Sequence, residues 1–151
     1  MPTINDNGFS LWESRAIITY LVEKYANNDA LYPKDVEKRA AINQRLQFDV
    51  SLFATFENYY YEKASKDVNN QTASKKLEEA VEYLNTFLAE QTYVAGNTLT
   101  LADFTLTTTV SSIEALHFDL SKYSNVLKWF AHVKTVIPYD LHEKYGWIVL
   151  E

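Results

Sequence analysis

The chain has 151 residues, 14 Lys and Arg against 20 Asp and Glu for a net charge of −6, no cysteine, and 47% hydrophobic residues with an aromatic share of 15%. This make-up suits one compact fold with a sizeable core, and it excludes disorder, a collagen-like repeat, a disulfide framework, a thiolate nucleophile and a cysteine-based zinc site. The acidic balance argues against nucleic acid, no apolar run is long enough to span a membrane, and the N-terminus lacks the basic and apolar regions of a secretory signal, so a cytoplasmic, reducing setting is expected.

In chain order, Asp6-Asn7-Gly8 is a tight-turn signal between two short extended runs, 3–5 and 9–11, and predicts a β-hairpin. Residues 13–25 follow helical spacing, with Ile17, Ile18, Leu21, Val22 and Tyr25 on one stripe and Glu23 and Lys24 toward water. Leu31-Tyr32-Pro33-Lys34 reads as a linker, since Pro33 disfavours a helical Tyr32, and Asp35 can cap the helix that follows. The domain boundary is placed there, separating residues 1–30 from 35–151. A long helix is predicted over 35–63 on the recurrence of Ile42, Leu46, Leu52, Phe53, Phe56 and Tyr60. A polar loop over 67–72 follows, and its Asn70-Gln71-Thr72 sequon is expected to be unmodified. Leu77, Val81, Leu84, Phe87 and Leu88 then mark a second amphipathic helix ending before Gly96. A third helix starts at Thr100 and continues through Leu116, although Thr105-Leu106-Thr107-Thr108-Thr109 alone would favour a strand. A shorter helix over 126–136 stops before Pro138.

Four local constellations stand out. In Thr100-Leu101-Ala102-Asp103 the Thr100 hydroxyl can accept from the amide three residues on, while Asp103 reaches back to the amide of Thr100, a capping box that is structural. In Trp12-Glu13-Ser14-Arg15, a strand gives way to a helix whose free N–H groups, with the Ser14 hydroxyl, can hold an anion. Glu13 supplies a carboxylate for an ammonium, so the pair suits an amino-acid end; ordinary first-turn solvation is the alternative. The Met1-Pro2 bond before the hairpin, if cis, turns a backbone N–H and C=O toward an extended peptide, whereas most such bonds are trans. Phe53, Phe56 and Tyr61 on neighbouring faces of the long helix either wall an apolar pocket or belong to the core.

Taken together, Pro2-Thr3, Asp6-Asn7-Gly8-Phe9, Leu11-Trp12-Glu13-Ser14-Arg15-Ala16-Ile17, Tyr20-Leu21-Val22-Glu23-Lys24-Tyr25, Leu31-Tyr32-Pro33-Lys34, Ile42-Asn43-Gln44-Arg45-Leu46, Phe48-Asp49, Asn58-Tyr59-Tyr60-Tyr61, Leu84-Asn85-Thr86-Phe87-Leu88 and Thr100-Leu101-Ala102-Asp103 resemble cytosolic glutathione transferases of the insect delta class. The resemblance implies a mainly α fold: an all-helical C-terminal domain over 35–151, preceded by part of a thioredoxin-like glutathione-binding domain over 1–30, a β-hairpin plus helix. It implies conjugation of glutathione, a co-substrate rather than a bound cofactor, to hydrophobic electrophiles in detoxification, usually as a homodimer or as a heterodimer with paralogues.

By the same resemblance, Pro2 pairs with the cysteinyl backbone of glutathione, Glu13 and Ser14 hold its γ-glutamyl ammonium and carboxylate, and Arg15 with Asp49 supports that end. Phe53, Phe56 and Tyr61 face the electrophile. In the family a Ser hydroxyl that stabilises the glutathione thiolate, and histidines that contact the glycine end, precede the proline at which this chain starts. No catalytic residue is therefore assigned, activity is expected to be reduced or absent, and a non-catalytic ligand-binding or dimerisation role is the alternative. His117, His132 and His142 lack ligand-like spacing, so no metal is expected. The hairpin, a two-stranded sheet with an open edge, is expected to be the least protected part of the molecule.

Overall fold

The computed structural model describes residues 2–65 and 72–137. Two strands, β1 (Thr3–Asp6) and β2 (Phe9–Trp12), precede five helices: α1 (Ser14–Tyr25), α2 (Val36–Ser65), α3 (Thr72–Phe87), α4 (Leu101–Ala115) and α5 (Ser124–Val136). The fold is mainly helical, with a helical C-terminal part and a partial thioredoxin-like start. The loop expected over 67–72 lies outside the described residues except for Thr72, which already belongs to α3, and the chain from Pro138 lies outside them too.

The hairpin forms as its sequence dictates. Thr3 pairs with Trp12, Ile4 with Leu11, Asn5 with Ser10 and Asp6 with Phe9 in antiparallel register. Asn7 and Gly8, at φ 52° and 92°, make the mirror-image turn whose twist matches the strands, and both residue types tolerate that region. Ile4 and Leu11 are half-buried against α1, while Phe9 is exposed on one side and packs its ring 5.2 Å from that of Tyr20. Of the stripe expected on α1, Ile17 is buried and Ile18 and Val22 join the edge of the core; Leu21 and Tyr25 stay exposed.

Lys24 does not simply face water, as the helical wheel suggests. Its ammonium donates to Asp6 Oδ2 at 2.7 Å, and the same oxygen accepts from the Tyr20 hydroxyl at 2.7 Å and the Tyr25 hydroxyl at 2.5 Å. Hydrogen bonds from Lys24 first, then from the two phenols, hold the Asp6 carboxyl well below the usual carboxylate range. Glu23 likewise pairs with Arg39 Nη1 at 2.8 Å, joining α1 to α2.

The core lies among α2 to α5. Ile42, Leu46 and Leu52 from α2 meet Leu77, Val81 and Leu84 from α3, Leu101, Leu106, Val110 and Ile113 from α4, and Val126, Trp129, Phe130 and Val133 from α5. Each such side chain contributes roughly 1.5–3 kcal/mol by leaving water, and this burial overrides the strand preference of the threonine run in α4. Asp35 caps α2 as its position predicts, accepting the Lys38 amide at 2.9 Å. Glu62, near the end of α2, accepts the amides of Ala73 and Ser74 at 2.9 and 3.2 Å and so satisfies the first turn of α3.

The capping box at Thr100 is present. Its Asp103 carboxylate accepts the Thr100 amide at 2.9 Å and the Thr100 hydroxyl at 3.0 Å on one oxygen, and the Val94 amide at 2.9 Å and the Trp129 indole N–H at 3.0 Å on the other.

At its other end α4 closes with His117 at φ 56°. The His117 amide donates to Glu114 O at 2.9 Å and the Phe118 amide to Ile113 O at 3.4 Å, a Schellman arrangement whose left-handed position usually holds glycine. His117→Gly is therefore expected to stabilise the fold by about 0.5–1 kcal/mol through relief of the Cβ clash. A raised urea midpoint with unchanged slope would show it.

Candidate functional site

The sequence places one residue, Glu13, between the end of β2 and the start of α1, where the chain reverses direction. That economy forces Glu13 to φ 73° and ψ 114°, a sparsely populated conformation for a non-glycine residue. Its carbonyl accepts the Ile17 amide at 2.8 Å, the first bond of the helix, so the amides of Ser14, Arg15 and Ala16 have no intrahelical acceptor. No acidic side chain occupies the first turn to neutralise the positive end of the dipole. Glu13 itself is exposed and Ser14 half-buried. Thr3 pairs with Trp12, which brings the exposed Pro2 segment alongside this elbow.

Arg15 ties the elbow to the core. Its Nε and Nη2 donate to Asp49 Oδ2 at 2.8 and 2.5 Å, and its Nη1 donates to the Ser14 hydroxyl oxygen at 2.8 Å. Asp49 is fully buried in the middle of α2, and its second oxygen accepts the Thr109 hydroxyl of α4 at 2.6 Å. Two consequences follow. The guanidinium is held at both ends, by Asp49 and by Ser14, and because the Ser14 oxygen accepts from Arg15, its own proton can donate outward. An anionic group at the start of α1 meets the Ser14 hydroxyl, free amides and a nearby cationic side chain.

The structure thus joins Ser14, Arg15 and Asp49 directly and sets Glu13 next to them in the chain. Arg15 also lies over the Phe53 ring, 5.9 Å from its centroid, and Phe53 stands 5.8 Å from Phe56. Tyr61, two turns along α2, is 66% exposed and contacts the ring of Tyr60 instead. Thr100 and Asp103 serve the core and stand apart from this cluster in their contacts. Two surface pockets, one bearing Thr92, Lys128 and His132 and the other Val22, Tyr32 and Arg39, do not include the elbow.

Sequence reasoning missed Thr109 and Trp129. The signal available for Thr109 was its position among buried α4 residues, where a hydroxyl needs a partner. Among the described residues no cluster of His, Cys, Asp and Glu could hold a metal ion, and no helix is long and apolar enough to cross a membrane.

Residues 47–135 match the glutathione S-transferase C-terminal domain family. A delta-class glutathione transferase of Nilaparvata lugens is 44% identical, with a TM-score of 0.87, the match covering 93% of this chain and 67% of that one. The chain belongs to the glutathione transferase family. A glutathione S-transferase of Anopheles dirus is similar at 36% identity and a TM-score of 0.88, covering 95% of this chain and 70% of the other. A diazinon-metabolizing transferase of the silkworm Bombyx mori is similar at 36% identity and a TM-score of 0.82, over 95% of this chain and 69% of its own. The chain spans about two thirds of the length of these transferases.

Proposed function

We propose that the α1 elbow of this chain binds glutathione by its γ-glutamyl end. Glu13 takes the ammonium, Ser14 and the free amides take the carboxylate, and Arg15 is the cation that Asp49 holds in place beside them. Pro2 offers its backbone to the cysteinyl unit, within the portion over 1–30 that serves glutathione, while 35–151 forms the helical domain. The observation that carries this reading is the Ser14–Arg15–Asp49–Thr109 chain, which fixes an anion-ready hydroxyl at a helix start next to an exposed carboxylate.

Phe53, Phe56 and Tyr61 form the wall toward a hydrophobic electrophile. Conjugation by these residues alone is weak or absent, because the thiol of glutathione ionises above neutral pH and the one hydroxyl at the elbow, Ser14, serves the γ-glutamyl carboxylate rather than the sulfur. The second reading, a ligand-binding or dimerising protein without turnover, draws support from the exposed Val50, Tyr61 and Tyr83 on α2 and α3, which offer apolar surface to a second transferase chain in the cytoplasm.

Retention on immobilised glutathione tests the proposal. Glu13→Gln and Ser14→Ala are each expected to weaken binding about tenfold, the loss of one charge-assisted contact, with unchanged far-UV circular dichroism. Equal retention of both variants and the parent would refute it. Turnover of a chlorinated aromatic substrate at the rate of a longer delta-class relative would refute the view that conjugation is impaired, and elution as a monomer would count against association.

A further inference from the structure

The hairpin is joined to α1 by Glu13 alone and lies back along the helix, so it acts as a lever with its fulcrum at the elbow. Near the fulcrum, Trp12 pairs with Thr3. At the far end, roughly 10 Å along the strand at 3.3 Å per residue, the tip is fastened by one carboxylate. Asp6 Oδ2 accepts from Tyr20, Lys24 and Tyr25, and Lys24 also donates to the Tyr20 hydroxyl at 2.7 Å, so three side chains from the last two turns of α1 converge on a single oxygen. The only aromatic contact reinforcing the tip among the described residues is Phe9 on Tyr20. A two-stranded sheet gives little rigidity of its own.

A residue at positive φ keeps that conformation only when its surroundings over-determine it. For Glu13, one side is fixed by the Glu13–Ile17 helical bond and by Arg15 on Asp49. The other side is fixed by the position of the hairpin, which Ile4 and Leu11 hold against α1 along its length and Asp6 holds at its tip. We propose that Asp6 is a positioning residue for the Glu13–Ser14 site: by fastening the hairpin tip to the end of α1, it holds Glu13 in its positive-φ conformation at the helix start. Asp6 touches no ligand and acts through the backbone of β2. Without the fastening, the tip lifts, Glu13 relaxes toward an ordinary extended conformation, and its carboxylate leaves the start of the helix.

The inference rests on the glutathione reading only for its ligand measurement, and a second measurement is independent of it. Calorimetric titration of the full chain with glutathione is expected to show affinity weakened roughly tenfold in Asp6→Ala, within the usual range of coupling between connected sites, with partial recovery in Asp6→Asn, which keeps one acceptor oxygen. In a Glu13→Gly background, where position 13 accepts positive φ without help and carries no carboxylate, Asp6→Ala is expected to change affinity less than twofold. Amide hydrogen exchange in the strand residues 9–12 and at Ile17, whose amide donates to the Glu13 carbonyl, is expected to accelerate in Asp6→Ala while the core amides of α2 to α5 keep their protection.

If the parent chain does not bind glutathione, the ligand reading fails but the exchange measurement still decides the role of Asp6. Unchanged exchange at Ile17, an undiminished effect of Asp6→Ala in the Glu13→Gly background, or loss of protection throughout α2 to α5 would each overturn the proposal.

Discussion

Asp103→Ala is expected to lower the unfolding free energy by about 4 kcal/mol, the larger of the two effects expected for the buried carboxylates Asp103 and Asp49. The carboxylate is fully buried, and its removal leaves the amides of Val94 and Thr100 and the indole N–H of Trp129 without acceptors. Each buried donor stranded in this way costs about 1–3 kcal/mol, and the total is a large part of a domain's net stability. Asp103→Asn keeps one acceptor oxygen but turns an NH2 toward the other donors, so about half of that loss is expected. Urea unfolding followed by circular dichroism measures both; a loss below about 1 kcal/mol for alanine would contradict the account.

The pH behaviour has a definite sign. Burial, outweighing the four hydrogen bonds, raises the pKa of Asp103. The native state therefore holds this proton more tightly than the unfolded chain does, and the contribution of the group to stability falls as pH rises through the interval between the ordinary and the raised value. The difference between parent and Asp103→Ala is accordingly expected to be greatest at the acid end of that interval.

Asp49→Ala is expected to do two things at once. It strands the Thr109 hydroxyl in the core and removes the partner of Arg15, at a cost of about 2–4 kcal/mol. That is less than the full penalty for breaking a buried ion pair, because the Arg15 side chain is 23% exposed and can recover some hydration. It also frees the guanidinium to leave Ser14, so retention on glutathione should fall as far as it does in Ser14→Ala. A double-mutant cycle with Arg15→Ala separates the two effects. The combined variant should be more stable than the sum of the single losses predicts, since no unpaired charge remains. Strict additivity would mean that the two residues do not act together.

Residues whose role is written in local spacing were legible in the sequence. Asp6-Asn7-Gly8 gave the hairpin because its turn chemistry is confined to a few residues, and Thr100 with Asp103 gave the start of α4 for the same reason. Glu13 and Ser14 could be singled out from charge type and from their place at a strand-to-helix junction. What spacing could not show is how far each carboxylate reaches. The second oxygen of Asp103 binds Trp129, and the second oxygen of Asp49 binds Thr109, 60 residues along the chain. Helical spacing points Lys24 toward water for a related reason: a helical wheel knows the face on which a side chain sits, but not that the hairpin tip folds back to bring Asp6 over that face. The strained backbone of Glu13 follows from the length of the connection, one residue, which boundaries drawn from periodicity do not resolve.

The unbroken course of α2 has a consequence for how such chains can change. Asp49 sits near the middle of a 30-residue helix, and each residue added to a helix turns everything beyond it by about 100°. A single codon inserted between Val36 and Asp49 would carry the carboxylate a quarter-turn or more away from Arg15 and expose it, while leaving helix propensity untouched. An insertion in the connections between helices is therefore expected to cost less than one between Val36 and Asp49, which a urea midpoint for each would show.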